Sequence, residues 1–282
     1  MKRLDIGVVV ILDALGFRGI WSREDARKVL SRMKSLRRAA LRLQGRDRSG
    51  VLVSDYGFRH RVRCMSDTIV VTVVAKGPKA PKRALYRAML SASMIAGDIM
   101  FDALYGSPTL LFRGCIAAGE MKEDVDFLIG PAVDEAAERF EKADGPFLWM
   151  APSALDINQR YADTYMDRIE PMIMLPYTVP LNDGSKIKSS TFSYFSLGYE
   201  TDEKEGERRA ETRRRLLEAF GRDPLTPSVS SKKQNTLLFL DHLEAIANAG
   251  SWREEETIIR LPEWDDLSVS QKLQLLGRGI RW

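Results

Sequence analysis

The 282-residue chain is poor in the residues that disulfide and soft-metal chemistry need, with two cysteines and two histidines in all. Cys64 and Cys115 cannot make a disulfide framework, and each lies in an apolar stretch where a reduced, buried thiol is the ordinary outcome. His60 and His242 are far apart and no Cys/His cluster has zinc-ligand spacing, which argues against a His dyad or a zinc site. Excess charge of one sign is also scarce: 43 basic against 39 acidic side chains leave +4, without the concentrated basic surplus of a nucleic-acid binder. No run approaches the roughly 18–20 uninterrupted apolar residues of a membrane span, and the early run at residues 6–12 stops at Asp13. The start MKRLD lacks the apolar core and cleavage site of a signal peptide. The expectation is a reduced, soluble, cytoplasmic protein, mature from Met1, with neither nucleic acid nor membrane as partner.

What is present is an alternation of short β-branched runs and amphipathic segments. Residues 6–12 read as a buried strand. Ser22-Arg23-Glu24-Asp25 reads as a helix start with Ser22 as N-cap, followed by Ala26, Val29, Leu30, Met33, Leu36, Ala40 and Leu43 at helical spacing. Residues 57–64 and 69–74 form two antiparallel strands joined by Met65-Ser66-Asp67. Pro81 opens a long helix over 82–104, strands follow at 110–121 and 127–129, Pro131 begins a helix over 132–142, and a strand at 147–150 closes the set. This order gives an α+β fold, one sheet with helices laid on it. Further on, 172–181 and 189–197 form a hairpin around Asn182-Asp183-Gly184. A charged helix at 203–220, a polar linker at 224–233, a helix at 237–247 and the tail bearing Trp252, Trp264 and Trp282 make a mostly helical extension. The basic clusters Arg37, Arg38, Arg42 and Arg213 to Arg215 read as solvated surface.

The carboxylates are the most informative feature. Asp13 ends an apolar strand and Asp67 lies between two others, where an unpaired charge is costly. Brought together by antiparallel neighbours, the two could hold a pair of divalent cations, whose separation in such enzymes is about 3.5–4 Å; separately, each would be a turn-capping aspartate.

Asp13-Ala-Leu-Gly-Phe17 resembles the Asp-x-x-Gly-Phe signature of class III nucleotide cyclases, and Ser66-Asp67 resembles their second metal aspartate in a β-turn. Arg113-Gly-Cys-Ile-Ala-Ala-Gly119 is similar to the family's Arg-x-Gly-x-x-x-Gly strand with its first glycine displaced by one, and Gly130 to Ala137 is similar to its Gly-Asp-x-Val-Asn-x-Ala helix. The four motifs occur in the family's order over roughly residues 5 to 197. The resemblance implies a ferredoxin-like cyclase domain at 1–197, an extension of unknown role at 198–282, and a homodimer with composite active sites. It implies that Asp13, Asp67 and the Ala14 carbonyl bind two Mg²⁺ or Mn²⁺ ions. Leu15 to Trp21 would be the phosphate loop, in which Ala14, Leu15, Gly16 and Phe17 touch the substrate and Gly16 and Gly19 let the backbone approach.

The chain also departs from the family. Asp134 takes the position of the helix Asn and Glu138 that of the transition-state Arg, while Arg139 lies one residue on, about 100° round the helix. Lys186 and Lys188 fall near the family's phosphate-binding lysine. The two base-reading positions are Arg63 and Phe127; an Arg offers only donors, which suit the carbonyls of uracil, and Phe127 removes the acceptor that an exocyclic amine wants. The pattern leans to UTP over CTP and ATP, and guanine O6 fits the same donors. With these departures the chain resembles the pyrimidine cyclases of bacterial Pycsar anti-phage defence, whose product, cyclic UMP or cyclic CMP, acts on a separate effector protein. The rival readings are an ordinary adenylate or guanylate cyclase and a catalytically silent, nucleotide-binding cyclase-like module.

Overall fold

The computed structural model describes residues 4–17, 20–22, 24–43, 58–75, 82–165, 174–194, 205–221 and 226–248. Among them are β1 (Asp5–Leu15), α1 (Ala26–Leu43), β2 (Phe58–Met65), β3 (Thr68–Ala75), α2 (Lys82–Tyr105), β4 (Leu111–Glu123), β5 (Leu128–Ile129), α3 (Pro131–Arg139), β6 (Leu148–Met150), α4 (Pro152–Tyr165), β7 (Met174–Pro180), β8 (Lys186–Phe192), α5 (Glu205–Phe220) and α6 (Pro227–Asn248). The sheet runs β2-β3-β1-β4-β6-β8-β7, with β5 paired to β4 off this path. Its first half, β1-α1-β2-β3-α2-β4 with antiparallel neighbours, is the ferredoxin-like split βαβ arrangement. The α+β class read from the sequence is the class observed.

β1 lies at the centre of this half, paired with β3 on one side and β4 on the other. It is apolar at nearly every position because both faces are covered: α2 and α3 each contact it, and Val8, Val9, Val10 and Leu12 are all fully buried. Alternation then puts Asp13 on the same face as Val9 and Ile11, and its register partners are Thr68 and Arg113. α2 contains the one stretch among the described residues, Ala84–Tyr105, that is long and apolar enough to cross a membrane. In this fold it is the core helix, packed on β1, β3 and β4.

Several boundaries differ from the sequence reading. Ser22 is not the N-cap of α1; Asp25 is, its Oδ1 accepting the N–H groups of Arg27 at 2.7 Å and Lys28 at 3.2 Å. α3 ends at Arg139 rather than residue 142, because the Glu141 carbonyl is turned outward to accept from Arg113 and Asn182. α4 was not expected; it starts at Pro152 in the N1 position, where a missing N–H costs nothing. β8 begins at Lys186, three residues before the expected start, with both lysines facing solvent. Of the stretch read as a linker at 224–233, residues 227–233 are helix: the Val229 N–H donates to the Thr226 hydroxyl at 3.3 Å, capping α6, and Pro227 is its first residue. Pro81, Gly19, Trp252, Trp264 and Trp282 lie outside the described residues.

The helices of the C-terminal extension share the core of the sheet. Leu216, Phe220, Phe239, Leu240 and Leu243 belong to the same buried cluster as β1 and β4. Phe239 meets Phe147 edge-on at 5.3 Å and Tyr177 at 4.7 Å between ring centroids. Arg213 joins α5 to α6 through Asp241 at 2.8 Å and Glu244 at 3.0 Å, and Arg214 and Arg215 pair with Glu211, so this arginine run is spent on ion pairs within the chain.

Candidate active site

The turn joining β2 to β3 has two residues between the paired Met65 and Thr68. Ser66 adopts φ 56°, in the left-handed region, and Asp67 follows it. The Ala14 N–H donates to the Asp67 carbonyl at 3.1 Å, which fastens the turn to the end of β1 and brings Asp13 and Asp67 together. Asp13 is buried and its pKa is raised, first by loss of solvation and then by the negative charges of Asp67 and Glu141, against the opposing pull of Arg113.

Arg113, which its motif places only on β4, is an ion-pair partner of Asp13. Its Nε and one terminal nitrogen each donate to Asp13 Oδ2 at 3.3 Å. The other terminal nitrogen donates to the Glu141 carbonyl at 2.6 Å and the Ala143 carbonyl at 3.5 Å. One oxygen of Asp13 is thus held fast. The cross-strand register of β1 and β4 sets this contact, across one hundred residues of sequence.

Asp13, Asp67 and the Ala14 carbonyl fit a hard divalent cation. The set is all oxygen, and Asp13 carries two neighbouring carboxylates against one guanidinium, an excess of negative charge that a cation relieves. Among the described residues no group of three or more Asp, Glu, His or Cys side chains is placed to hold a metal ion, so a cation at this pair would take its remaining ligands from water and substrate phosphates.

The loop after β1 turns away at Gly16, φ 70°, and is pinned by the Phe17 ring, buried and edge-on to Trp21 at 5.6 Å. Leu15 is half-buried and still pairs with Leu111, whereas Gly16 is exposed. Leu15, Gly16 and Ile20 line a cleft of about 230 Å³ whose other walls are Pro108 to Leu111 and the α5 and α6 residues Phe220, Val229 and Lys232.

Arg59, Arg61 and Arg63 alternate along one face of β2. The buried Glu123 receives Arg59 at 2.8 Å, Arg63 at 3.2 Å and the Thr72 hydroxyl at 2.7 Å. Loss of solvation would raise its pKa, but these hydrogen bonds outweigh that and hold it below the usual glutamate range. Arg63 also donates to the Asp124 carbonyl at 2.5 Å, so the candidate base reader is clamped at one end with donors to spare. Phe127 is 69% exposed, beside the exposed Val125 and Ile129 at the β4–β5 turn.

The remaining expected residues are not gathered by this chain around Asp13. Asp134 is exposed in the first turn of α3. Arg139 is paired with Glu138 at 3.2 Å and Glu135 at 3.9 Å. Lys186 and Lys188 are exposed on β8, near its turn to β7.

No protein-family model matches the chain, and no curated protein matches it. The solved structures to which it is similar include nucleotide cyclase domains. A guanylate cyclase domain from Catenaria anguillulae in complex with GTP shares 13% identity over 68% of this chain and 98% of that one, with a TM-score of 0.45. The catalytic core of a rhodopsin-guanylyl cyclase with converted specificity, in complex with ATPαS, shares 14% over 68% and 97%, with a TM-score of 0.46. The adenylate/guanylate cyclase/hydrolase of Silicibacter pomeroyi shares 14% over 66% and 95%, with a TM-score of 0.37. Likeness at this level assigns no activity to the chain.

Proposed function

We propose that the chain is a pyrimidine nucleotide cyclase that converts UTP to cyclic UMP and pyrophosphate. The ribose 3′-hydroxyl attacks the α-phosphorus in line, its proton passes to solvent water, and the bond from the α-phosphorus to the α,β-bridging oxygen breaks, releasing pyrophosphate. The observation that carries this reading is the pair Asp13 and Asp67, brought together at the end of the central strand with one guanidinium against two further carboxylates around Asp13. Asp13, Asp67 and the Ala14 carbonyl would hold two Mg²⁺ or Mn²⁺ ions, which when bound acidify the attacking hydroxyl and offset the triphosphate charge. Arg113 fixes the Asp13 carboxylate in one rotamer, and the backbone at Leu15, Gly16 and Phe17 lies alongside for the phosphates.

Arg63, oriented by Glu123, would donate to the uracil carbonyls, and Phe127 would offer an aromatic face without an acceptor. The exposed Val125, Phe127 and Ile129 support a homodimer with composite sites, in which Lys186, Lys188 and Arg139 serve the partner's triphosphate. The product would be a second messenger of anti-phage defence, acting on a separate effector.

Incubating the protein with Mn²⁺ and each of the four nucleoside triphosphates, and identifying products by mass spectrometry, tests the reading. Cyclic UMP as main product is expected; a cyclic purine as main product would sink the pyrimidine assignment. The ion pairs that hold Arg139 to its own helix favour a second reading, a silent nucleotide-binding module. That reading predicts Mn²⁺-dependent UTP binding with no cyclic product.

A further inference from the structure

Besides lining the cleft at Leu15 and Gly16, the extension meets the segment that holds Arg113. Residues 141–144 follow α3 and are stitched to the β7–β8 turn by Asn182 N–H to the Lys142 carbonyl at 2.8 Å and Asp144 N–H to the Pro180 carbonyl at 2.9 Å. Two carbonyls of this segment, Glu141 and Ala143, hold the guanidinium of Arg113, whose other side holds Asp13. The next residue, Asp144, is buried and is surrounded by the first turns of α6. Ser231 donates to its Oδ2, Lys232 approaches its Oδ1 at 3.1 Å, and Asn235 donates to Oδ2 at 2.9 Å and to the Asp144 carbonyl at 3.0 Å. Lys232 also lines the cleft beside Leu15 and Gly16.

We propose that Asp144 is a positioning residue through which α6 fixes Arg113 and thereby the orientation of the Asp13 carboxylate; the consequence for cation binding rests on the cyclase reading above. A helix attached only for stability would need its apolar contacts at Phe239 and Leu243. It would not need three polar side chains converging on the carboxylate adjacent to the carbonyls that grip Arg113. Loosening Asp144 frees those carbonyls. The Arg113 charge stays beside Asp13, so what changes is orientation, and the cation must then order the carboxylate itself. Anything that shifts the start of α6 is accordingly felt at Asp13.

The test uses the full chain, Mn²⁺ alone as probe, and no nucleotide. Manganese affinity by calorimetry and the Arg113 Nε–H resonance by NMR are compared for wild type, Asp144→Asn, Lys232→Ala, Lys232→Arg and Asp67→Ala. Asp144→Asn is expected to weaken Mn²⁺ binding roughly tenfold, the low end for partners of ligating groups, and to move the Arg113 resonance. Lys232→Ala should do so more weakly, and Lys232→Arg should restore both. Should Asp144→Asn fail to fold, Lys232→Ala and its Arg rescue carry the comparison. Unchanged affinity and an unmoved Arg113 resonance in the folded variants would overturn the positioning role. If wild type shows no Mn²⁺ binding that Asp67→Ala removes, the Arg113 resonance alone decides whether Asp144 positions it, and the calorimetry is repeated with UTP, where a continued lack of such binding is the result that counts against the cyclase reading.

Discussion

Replacing Glu123 with Gln removes one charge from a site built around it. The side chain is fully buried and accepts from Thr72, Arg59 and Arg63, with Arg61 at 4.0 Å. Gln keeps the shape and one acceptor oxygen, but it leaves three guanidiniums around a neutral amide whose NH₂ faces other donors. Breaking a buried pair costs about 3–5 kcal/mol. Arg59 and Arg61 are 39% and 34% exposed, so water recovers part of that, and a loss of about 3 kcal/mol near neutral pH is expected. The sign with pH follows from the depressed pKa. The charge's contribution is complete above the unfolded-state value of 4.5 and is lost as pH falls through the lower folded value, so wild type and variant converge in acid. Urea denaturation near neutral pH and again in acid measures both. A difference below about 0.5 kcal/mol near neutrality, the range of an ordinary surface substitution, or a gap that widens in acid, would refute the reasoning. Because Glu123 also clamps Arg63, the variant should raise KM for UTP more than it lowers kcat.

Asp67→Asn removes a like charge from beside Asp13 and should lower the Asp13 pKa, read from its carboxyl carbon by NMR; an unchanged or higher value contradicts the proposed pairing. Gly114→Ala places a methyl 2.3 Å from the Ile11 carbonyl oxygen, a backbone atom of the adjacent strand, so β1 and β4 must separate and stability should fall by about 3 kcal/mol in urea titration. Phe127→Asp supplies an acceptor for an exocyclic amine and should raise turnover of CTP or ATP relative to UTP about tenfold, measured as a ratio of kcat/KM values.

The strands and the two candidate aspartates were legible because their signals are local. Residues 6–12 and 69–74 are β-branched runs, and Asp13 and Asp67 stand out against them as charges at strand ends. Arg113 and Glu123 were illegible as partners, since each acts across 60 to 100 residues through a register that no local pattern encodes. α6 was half legible. Thr226-Pro227 is an N-cap followed by a proline at N1, but the polar run after it, Ser228 to Lys233, masked the signal. Ser231 and Lys232 of that run, with Asn235 just beyond it, are the Asp144 contacts, which is why a helix that packs on the core reads as a linker.

The central claim is that Asp13 and Asp67 act as one cation-holding pair in cyclising UTP. Its most direct measurement is cyclic UMP formation from UTP and Mn²⁺ by wild type and by Asp67→Ala, prepared identically and shown to be equally folded. Product is expected from the wild type and none above background from the variant. Undiminished cyclic UMP from Asp67→Ala would contradict the claim.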